Sequence, residues 1–230
     1  MRIFVTRMIP DVGLQLMRDA GLELEIWPEE LPPSHEKIIN AVRGCDGILS
    51  LLSDTIDAEV MDAAGPTLKV VSNFAVGYNN IDVAEAKRRG IAVGNTPDVL
   101  TDATADLAFS LLIAAARRLG ESQAFVKGGQ WKTWAPLGQI GMDLKGKTLG
   151  IYGMGRIGAA LAKRCVGGWD MDVVYCARSP KPEYESALNA QRVDFGTLLE
   201  RADFVSVHAP LTPETKGVFN AAAFAQMKSN

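Results

Sequence analysis

A strand that runs straight into glycine and leaves it as a helix constrains this chain more than any other stretch. Thr148-Leu-Gly-Ile-Tyr152 reads as a strand, Gly153-Met-Gly155-Arg-Ile-Gly158 follows at once, and Ala159 to Arg164 is a strong helix former. Glycines alone would say little, because the sequence holds 22 of them. At a strand-to-helix turn, however, each has its own task. Gly153 permits the tight turn, Gly155 lets a diphosphate approach the backbone, and Gly158 lets the helix lie close on the strand. The free N–H groups at the helix start face the phosphates. The spacing therefore predicts a dinucleotide-binding α/β unit with Gly153, Gly155 and Gly158 as cofactor residues.

With 230 residues, 47% hydrophobic and 22% charged, the chain has material for one large domain or two ordinary ones. A formal charge of -3 offers no basic stripe, so neither nucleic acid nor an anionic membrane is an expected partner. The opening Met1-Arg-Ile-Phe-Val-Thr6 enters a strand without a basic leader, and no apolar run approaches the roughly 18 residues of a membrane span. A cytoplasmic location is the expectation. Cys45, Cys165 and Cys176 are odd in number and never in CxxC spacing, which suits buried free thiols in a reducing compartment. The two histidines, His35 and His208, make a His-rich metal site implausible, and no metal is expected.

Before the glycine motif, the hydrophobic period switches repeatedly between 2 and 3.6. Ile3-Phe-Val5 is followed by a helical stretch with Val12, Leu16 and Ala20, then by Leu22-Glu-Leu-Glu-Ile26 and a helix opened by Pro33-Ser34. Runs at Ile48 to Leu51, Val70-Val71 and Ile91 to Val93 alternate with helices near 57 to 64 and 82 to 89, and Gly21, Gly65 and Gly90 close several of them. The alternation of Leu22 to Ile26 with glutamate leaves one face wet, so that strand belongs at an edge. A break at Gly94-Asn-Thr-Pro97 precedes a long helix from about Thr101 to Leu119, with Leu107, Leu111 and Ala115 on one face and Gly120 as its cap. The expected fold is α/β, with two Rossmann- or flavodoxin-like parallel-sheet domains over residues 1–97 and 98–230. A complete dinucleotide sheet needs about six strands, and only four are predicted to follow the fingerprint. Met227-Lys-Ser-Asn230 reads as the turn before a further strand, so the second domain is expected to be incomplete.

The strand Met171-Asp-Val-Val-Tyr175 should end at the residue that meets the adenosine ribose. An acid about 20 residues past the glycines would take the 2′-hydroxyl of NAD. Here Ala177 stands at that distance, followed by Arg178 and Ser179. A guanidinium and a hydroxyl suit a 2′-phosphate, so NADPH is the expected cofactor. The alternative, a solvated Arg178 and use of NAD, stays open.

Four blocks give the chain a family resemblance. They are Ser72-Asn-Phe-Ala-Val-Gly-Tyr-Asn-Asn-Ile-Asp82, Asn95-Thr-Pro-Asp-Val-Leu-Thr-Asp-Ala-Thr-Ala-Asp106, Leu149-Gly-Ile-Tyr-Gly-Met-Gly-Arg-Ile-Gly158 and Val207-His-Ala-Pro-Leu-Thr-Pro-Glu-Thr215. In their order and spacing the chain resembles the D-isomer-specific 2-hydroxyacid dehydrogenases, and among them the glyoxylate/hydroxypyruvate reductase branch. The resemblance implies a substrate domain over 1–97 and a homodimeric enzyme in which NAD(P)H delivers hydride to the carbonyl carbon of a small 2-oxo acid. It implies that the N–H groups of Val76 and Gly77 hold the substrate carboxylate, with Leu52 and Ser53 at its border. It also implies that Thr104, Arg156, Ile157, Ala177, Arg178, Ser179, Ala209 and Pro210 line the cofactor. A glycine-containing turn after a strand can independently offer bare N–H donors to an anion, although an ordinary loop would look the same.

The family's chemistry also uses an Arg clamp, a His general acid and that histidine's carboxylate partner. All three lie beyond the position of Asn230, so no catalytic residue is assigned, and the 230-residue chain by itself is expected to be inactive. Neither His35 nor His208 is expected to substitute. Trp131 and Trp134 are expected to be buried or to pack in a dimer. Two other functions compete: a non-catalytic dinucleotide-binding regulatory dimer of the same fold, and an unrelated NAD(P)-dependent dehydrogenase acting on L-substrates, against which the loop Phe74 to Asn80 argues.

Overall fold

Short strands separated by single helices lie side by side in parallel, because each crossover returns the chain to the same end of the sheet. The computed structural model, which describes residues 1–229, has this arrangement twice, in the units Met1–Val99 and Leu100–Asn230.

The first unit runs β1 (Arg2–Val5), α1 (Asp11–Asp19), β2 (Glu23–Ile26), α2 (His35–Ala41), β3 (Gly47–Ser50), α3 (Ala58–Ala64), β4 (Val70–Asn73), α4 (Val83–Arg88) and β5 (Ala92–Gly94). Its strands lie in the order β2-β1-β3-β4-β5, all parallel. β2 is an edge, with Glu23 and Glu25 exposed and Leu24 and Ile26 half-buried. Alternate strand residues feed two cores. Phe4, Ile48 and Val71 meet Ile38, Val42, Val60 and Met61 in one, while Ile3, Val5 and Leu49 meet Leu14 in the other. Side chains of Ser34, Asp57 and Asp82 accept N–H bonds at the starts of α2, α3 and α4.

The helical period of α1 was readable, but the buried face differs from the expected one. Leu14 is buried and Met17 packs beside it, whereas Val12 and Leu16 are 71% and 67% exposed and Ala20 is also exposed. Leu14 joins Ile3, Val5 and Leu49 of the sheet, and Ile9 of the segment leading into the helix completes the cluster, with its Cδ1 only 3.2 Å from where a methyl on Gly13 would stand.

The second unit runs α5 (Thr101–Ala116), α6 (Leu119–Lys127), β6 (Thr148–Tyr152), α7 (Arg156–Trp169), β7 (Asp172–Cys176), α8 (Pro182–Leu188), β8 (Gln191–Arg192), α9 (Phe195–Arg201), β9 (Phe204–Val207) and α10 (Ala221–Gln226). The strand order β8-β7-β6-β9 is that of the first four strands of a doubly wound dinucleotide sheet. Among the described residues three strands, not four, follow the glycine turn, since β6 leads into it. Met227 is extended after α10, and the remainder of the expected turn reaches Asn230, outside the described residues.

Expectations for the long helix and for the two tryptophans also differ from what is seen. The long helix stops at Ala116 because Arg118 adopts a left-handed φ of 50°, and Leu119 opens α6, so Gly120 lies inside a helix and caps nothing. The face of α5 that enters the core is Ala105, Ala108, Phe109, Leu112 and Ala116, while Leu107 and Leu111 are each 60% exposed. Arg164 of α7 fastens this packing by bonding Asp106 at 2.7 Å and Asp102 at 3.1 Å. Trp131 and Trp134, expected to be buried or to pack in a dimer, are 60% and 77% exposed, so they are not buried within this chain; they stand in residues 128–147, which form no helix or strand.

Candidate functional site

β6 delivers the chain to Gly153, where φ is +102° and the N–H donates to Cys176 O at 2.9 Å. A methyl on Gly153 would stand 2.4 Å from Ala209 N, so the Ala209-Pro210 turn, which follows β9, presses directly on the glycine. A methyl on Gly158 would lie 2.8 Å from Gly153 O and 3.6 Å from His208 Cδ2. Gly155 is different: nothing lies within 4 Å of the place its methyl would take. The helical ladder of α7 begins with Ala159 N–H donating to Gly155 O at 2.9 Å, which leaves the N–H groups of Ile157 and Gly158 without an intrahelical carbonyl. Two crowded glycines and one open one, at the positive end of a 14-residue helix, fit a diphosphate.

The turn after β7 is held from two sides. Arg192 donates to Ala177 O at 3.0 and 3.3 Å and to Arg178 O at 3.1 Å. Tyr175 Oη accepts the Lys181 N–H at 2.8 Å and donates to Glu185. Arg178 and Ser179 are thereby presented exposed at the carboxyl end of the strand. The Glu214 carboxyl is held below its ordinary range, chiefly by a hydrogen bond from Thr212. Burial raises the Cys176 thiol and keeps it neutral beside Gly153. Burial lowers His208, whose Nε2 lies 2.8 Å from Ser206 Oγ. Thr104 shares an apolar groove with Leu107, Leu111, Ser206 and His208. Arg156 and Ile157 form the first turn of α7, exposed and half-buried respectively.

In the first unit, the segments after β3 and β4 come together at the carboxyl edge of the sheet. A methyl on Gly77 would be 3.3 Å from Leu52 Cδ2, which places these two expected substrate residues side by side. Ser53 accepts from Arg7 Nη2 at 2.9 Å and donates to Asp54 Oδ1 at 2.9 Å. Val76 and Gly77 are half-buried, and their N–H groups meet no acceptor among the described residues.

Beneath these loops lies a polar network that the sequence reading missed. Asp54, with a fully buried side chain, accepts from Thr6 Oγ1 at 2.5 Å and Leu51 N at 2.8 Å and pairs with Arg7 at 3.4 Å. Asn80 Nδ2 donates to Leu51 O and Asp54 O, Asn73 Nδ2 to Gly77 O, and Asn95 Nδ2 to Val76 O. A signal was available: Ser50 closes an otherwise apolar parallel strand and Ser72-Asn73 follow Val70-Val71 in its neighbour, and a buried polar group there requires a partner. No three His, Cys, Asp or Glu side chains gather as a metal site among the described residues, and His35 Nε2 lies 3.0 Å from Asp57 Oδ2.

A parallel sheet with an open glycine turn at its switch point defines a dinucleotide-binding α/β protein. Residues 109–230 match the model of the D-isomer specific 2-hydroxyacid dehydrogenase NAD binding domain. Along its length the chain is 47% identical over 233 residues to a glyoxylate reductase of Thermococcus litoralis, covering 100% of this chain and 70% of that protein. It is 49% identical over 228 residues to a glyoxylate reductase of Korarchaeum cryptofilum, covering 99% of this chain and 68% of the relative. A crystal structure of a Thermus thermophilus protein superposes with a TM-score of 0.90 at 45% identity, over 99% of this chain and 71% of that one. The chain belongs to the D-isomer-specific 2-hydroxyacid dehydrogenase family. Its cofactor class is therefore a nicotinamide dinucleotide, and the family's activity is that of an oxidoreductase. No helix among the described residues is long and apolar enough to cross a membrane.

Proposed function

We propose that the chain provides the substrate- and cofactor-binding groups for NADPH-dependent reduction of a small 2-oxo acid, glyoxylate or hydroxypyruvate, to the D-2-hydroxy acid. In this reading residues 1–97 hold the substrate and residues 98–230 hold the cofactor. Gly153, Gly155 and Gly158, with the first turn of α7, take the diphosphate. Arg178 and Ser179 take the 2′-phosphate, and Thr104, Ala209 and Pro210 border the cofactor. The bound reduced nicotinamide supplies hydride. Val76 and Gly77 N–H groups hold the carboxylate, while Leu52 covers the loop and Ser53 borders it. His208, tied to Ser206 and held neutral by burial, supports the cofactor turn and is not the proton donor.

The observation that carries the cofactor part is the open space over Gly155, together with an exposed Arg178 whose carbonyl Arg192 holds. Fluorescence titration with NADPH and NADH tests it. Removing a charge-assisted bond in Arg178→Ala should weaken NADPH by roughly tenfold to a hundredfold. NADH should change less than about twofold, because it carries no 2′-phosphate for the guanidinium to meet. Equal losses for both coenzymes, or none, would remove Arg178 from coenzyme selection.

A further inference from the structure

The amides expected to hold the substrate carboxylate are aimed by groups behind them. Thr96 N–H donates to Ala75 O at 2.9 Å, and Asn95 Nδ2 donates to Val76 O at 2.8 Å. A trans peptide is planar, so the N–H of the next residue points opposite to each carbonyl. Two successive carbonyls fastened to the Asn95-Thr96 segment therefore turn two successive N–H groups, those of Val76 and Gly77, away from it. Neither N–H meets an acceptor among the described residues. Two adjacent donors facing one side form an anion-binding concavity.

The next carbonyl is fastened as well. Asn73 Nδ2 donates to Gly77 O at 2.7 Å and to Asn80 Oδ1 at 3.0 Å, while Ser50 Oγ donates to Asn73 Oδ1 at 2.9 Å. Carbonyl oxygens only accept, so each asparagine must turn its NH2 group toward the loop. Three consecutive carbonyls of an irregular loop are thus pinned, and its donors need no rearrangement when an anion arrives.

We propose that Asn95 is a positioning residue for substrate, orienting the Val76 and Gly77 N–H groups toward the carboxylate of a 2-oxo acid, with Asn73 fixing the following peptide. This rests on the reading of that loop as the carboxylate site. The test is an amide NMR titration of the full chain with oxamate, an unreactive mimic of a 2-oxo acid, using Asn95→Ala and the unmutated protein. In the unmutated chain the Val76 and Gly77 N–H signals should shift along one saturable curve. In Asn95→Ala the oxamate Kd should rise by about tenfold, as loss of an oriented, half-buried bond warrants. NADPH affinity should stay unchanged.

Should Asn95→Ala fail to fold, the unmutated chain decides, because the Asn95 carboxamide protons should move on the same curve as the Gly77 N–H. Carboxamide signals that stay fixed while the loop amides shift would overturn the role of Asn95 alone. So would an undiminished oxamate affinity in a folded Asn95→Ala. If the loop amides of the unmutated chain do not respond at all, the carboxylate-site reading fails and the inference with it.

Discussion

A methyl group added at position 153 would sit 2.4 Å from Ala209 N on a backbone with φ of +102°, whereas one added at 155 would meet nothing within 4 Å. The two glycines therefore make separable predictions. Gly153→Ala forces the Ala209 turn outward and strains the backbone, so it should cost at least about 1–3 kcal/mol and lower Tm visibly. Gly155 has φ of -94° and ψ of -166°, which alanine adopts freely. Gly155→Ala should accordingly stay within about 1 kcal/mol of the unmutated protein in thermal unfolding, yet lose NADPH binding in a fluorescence titration. An alanine at 155 that binds normally would place the diphosphate elsewhere. The motif's spacing was legible because turn geometry and phosphate approach both demand glycine. Asp54, Asn73 and Asn95 were not, since a polar residue at a strand end looks alike whether it braces a buried loop or faces water.

Elements depend on neighbours that a one-dimensional pattern does not contain. Val12 and Leu16 form an apolar stripe, yet α1 buries Leu14, which joins Ile3, Val5, Ile9 and Leu49 in the core. Similarly, no cap signal marked the end of α5, where Arg118 takes a left-handed conformation usually left to glycine or asparagine. Where a boundary rests on one side chain it was readable, as at α3. Asp57 Oδ1 accepts the Val60 N–H at 3.1 Å and Oδ2 faces His35 Nε2 at 3.0 Å. Burial pushes this carboxyl up, but the Val60 and His35 bonds outweigh it and its pKa lies below the ordinary value of 3.8. Asp57→Ala should cost about 1 kcal/mol in urea unfolding at pH 7. With the folded pKa below the unfolded one, the carboxylate's contribution is complete above about pH 4 and is lost as pH falls through the folded value. The difference between the two proteins should therefore shrink below about pH 4, and a pH-independent difference would mean that packing, not the cap, was removed.

At the scale of the molecule, the same rule of short strands and single crossovers produces two sheets with different switch points. In the first, the reversal of order lies between β1 and β3, beside which Leu52, Ser53 and Gly77 assemble. In the second it lies between β6 and β9, beside which Gly153 and Ala209 meet. Each sheet has its own buried core, so each unit can report ligand binding through its own opening equilibrium. A ligand that binds only the folded form stabilises it by mass action, and NADPH at about a hundred times its Kd should add about 2.7 kcal/mol. Native-state hydrogen exchange should register that gain in the most protected amides of β6, β7, β9 and α7, which frame the glycine turn. NADH at the same concentration should give a smaller gain if Arg178 meets the 2′-phosphate as proposed, since NADH lacks that group. If saturating NADPH leaves the protection of these four elements unchanged, the dinucleotide does not bind at their carboxyl ends, whatever the spacing of the glycines.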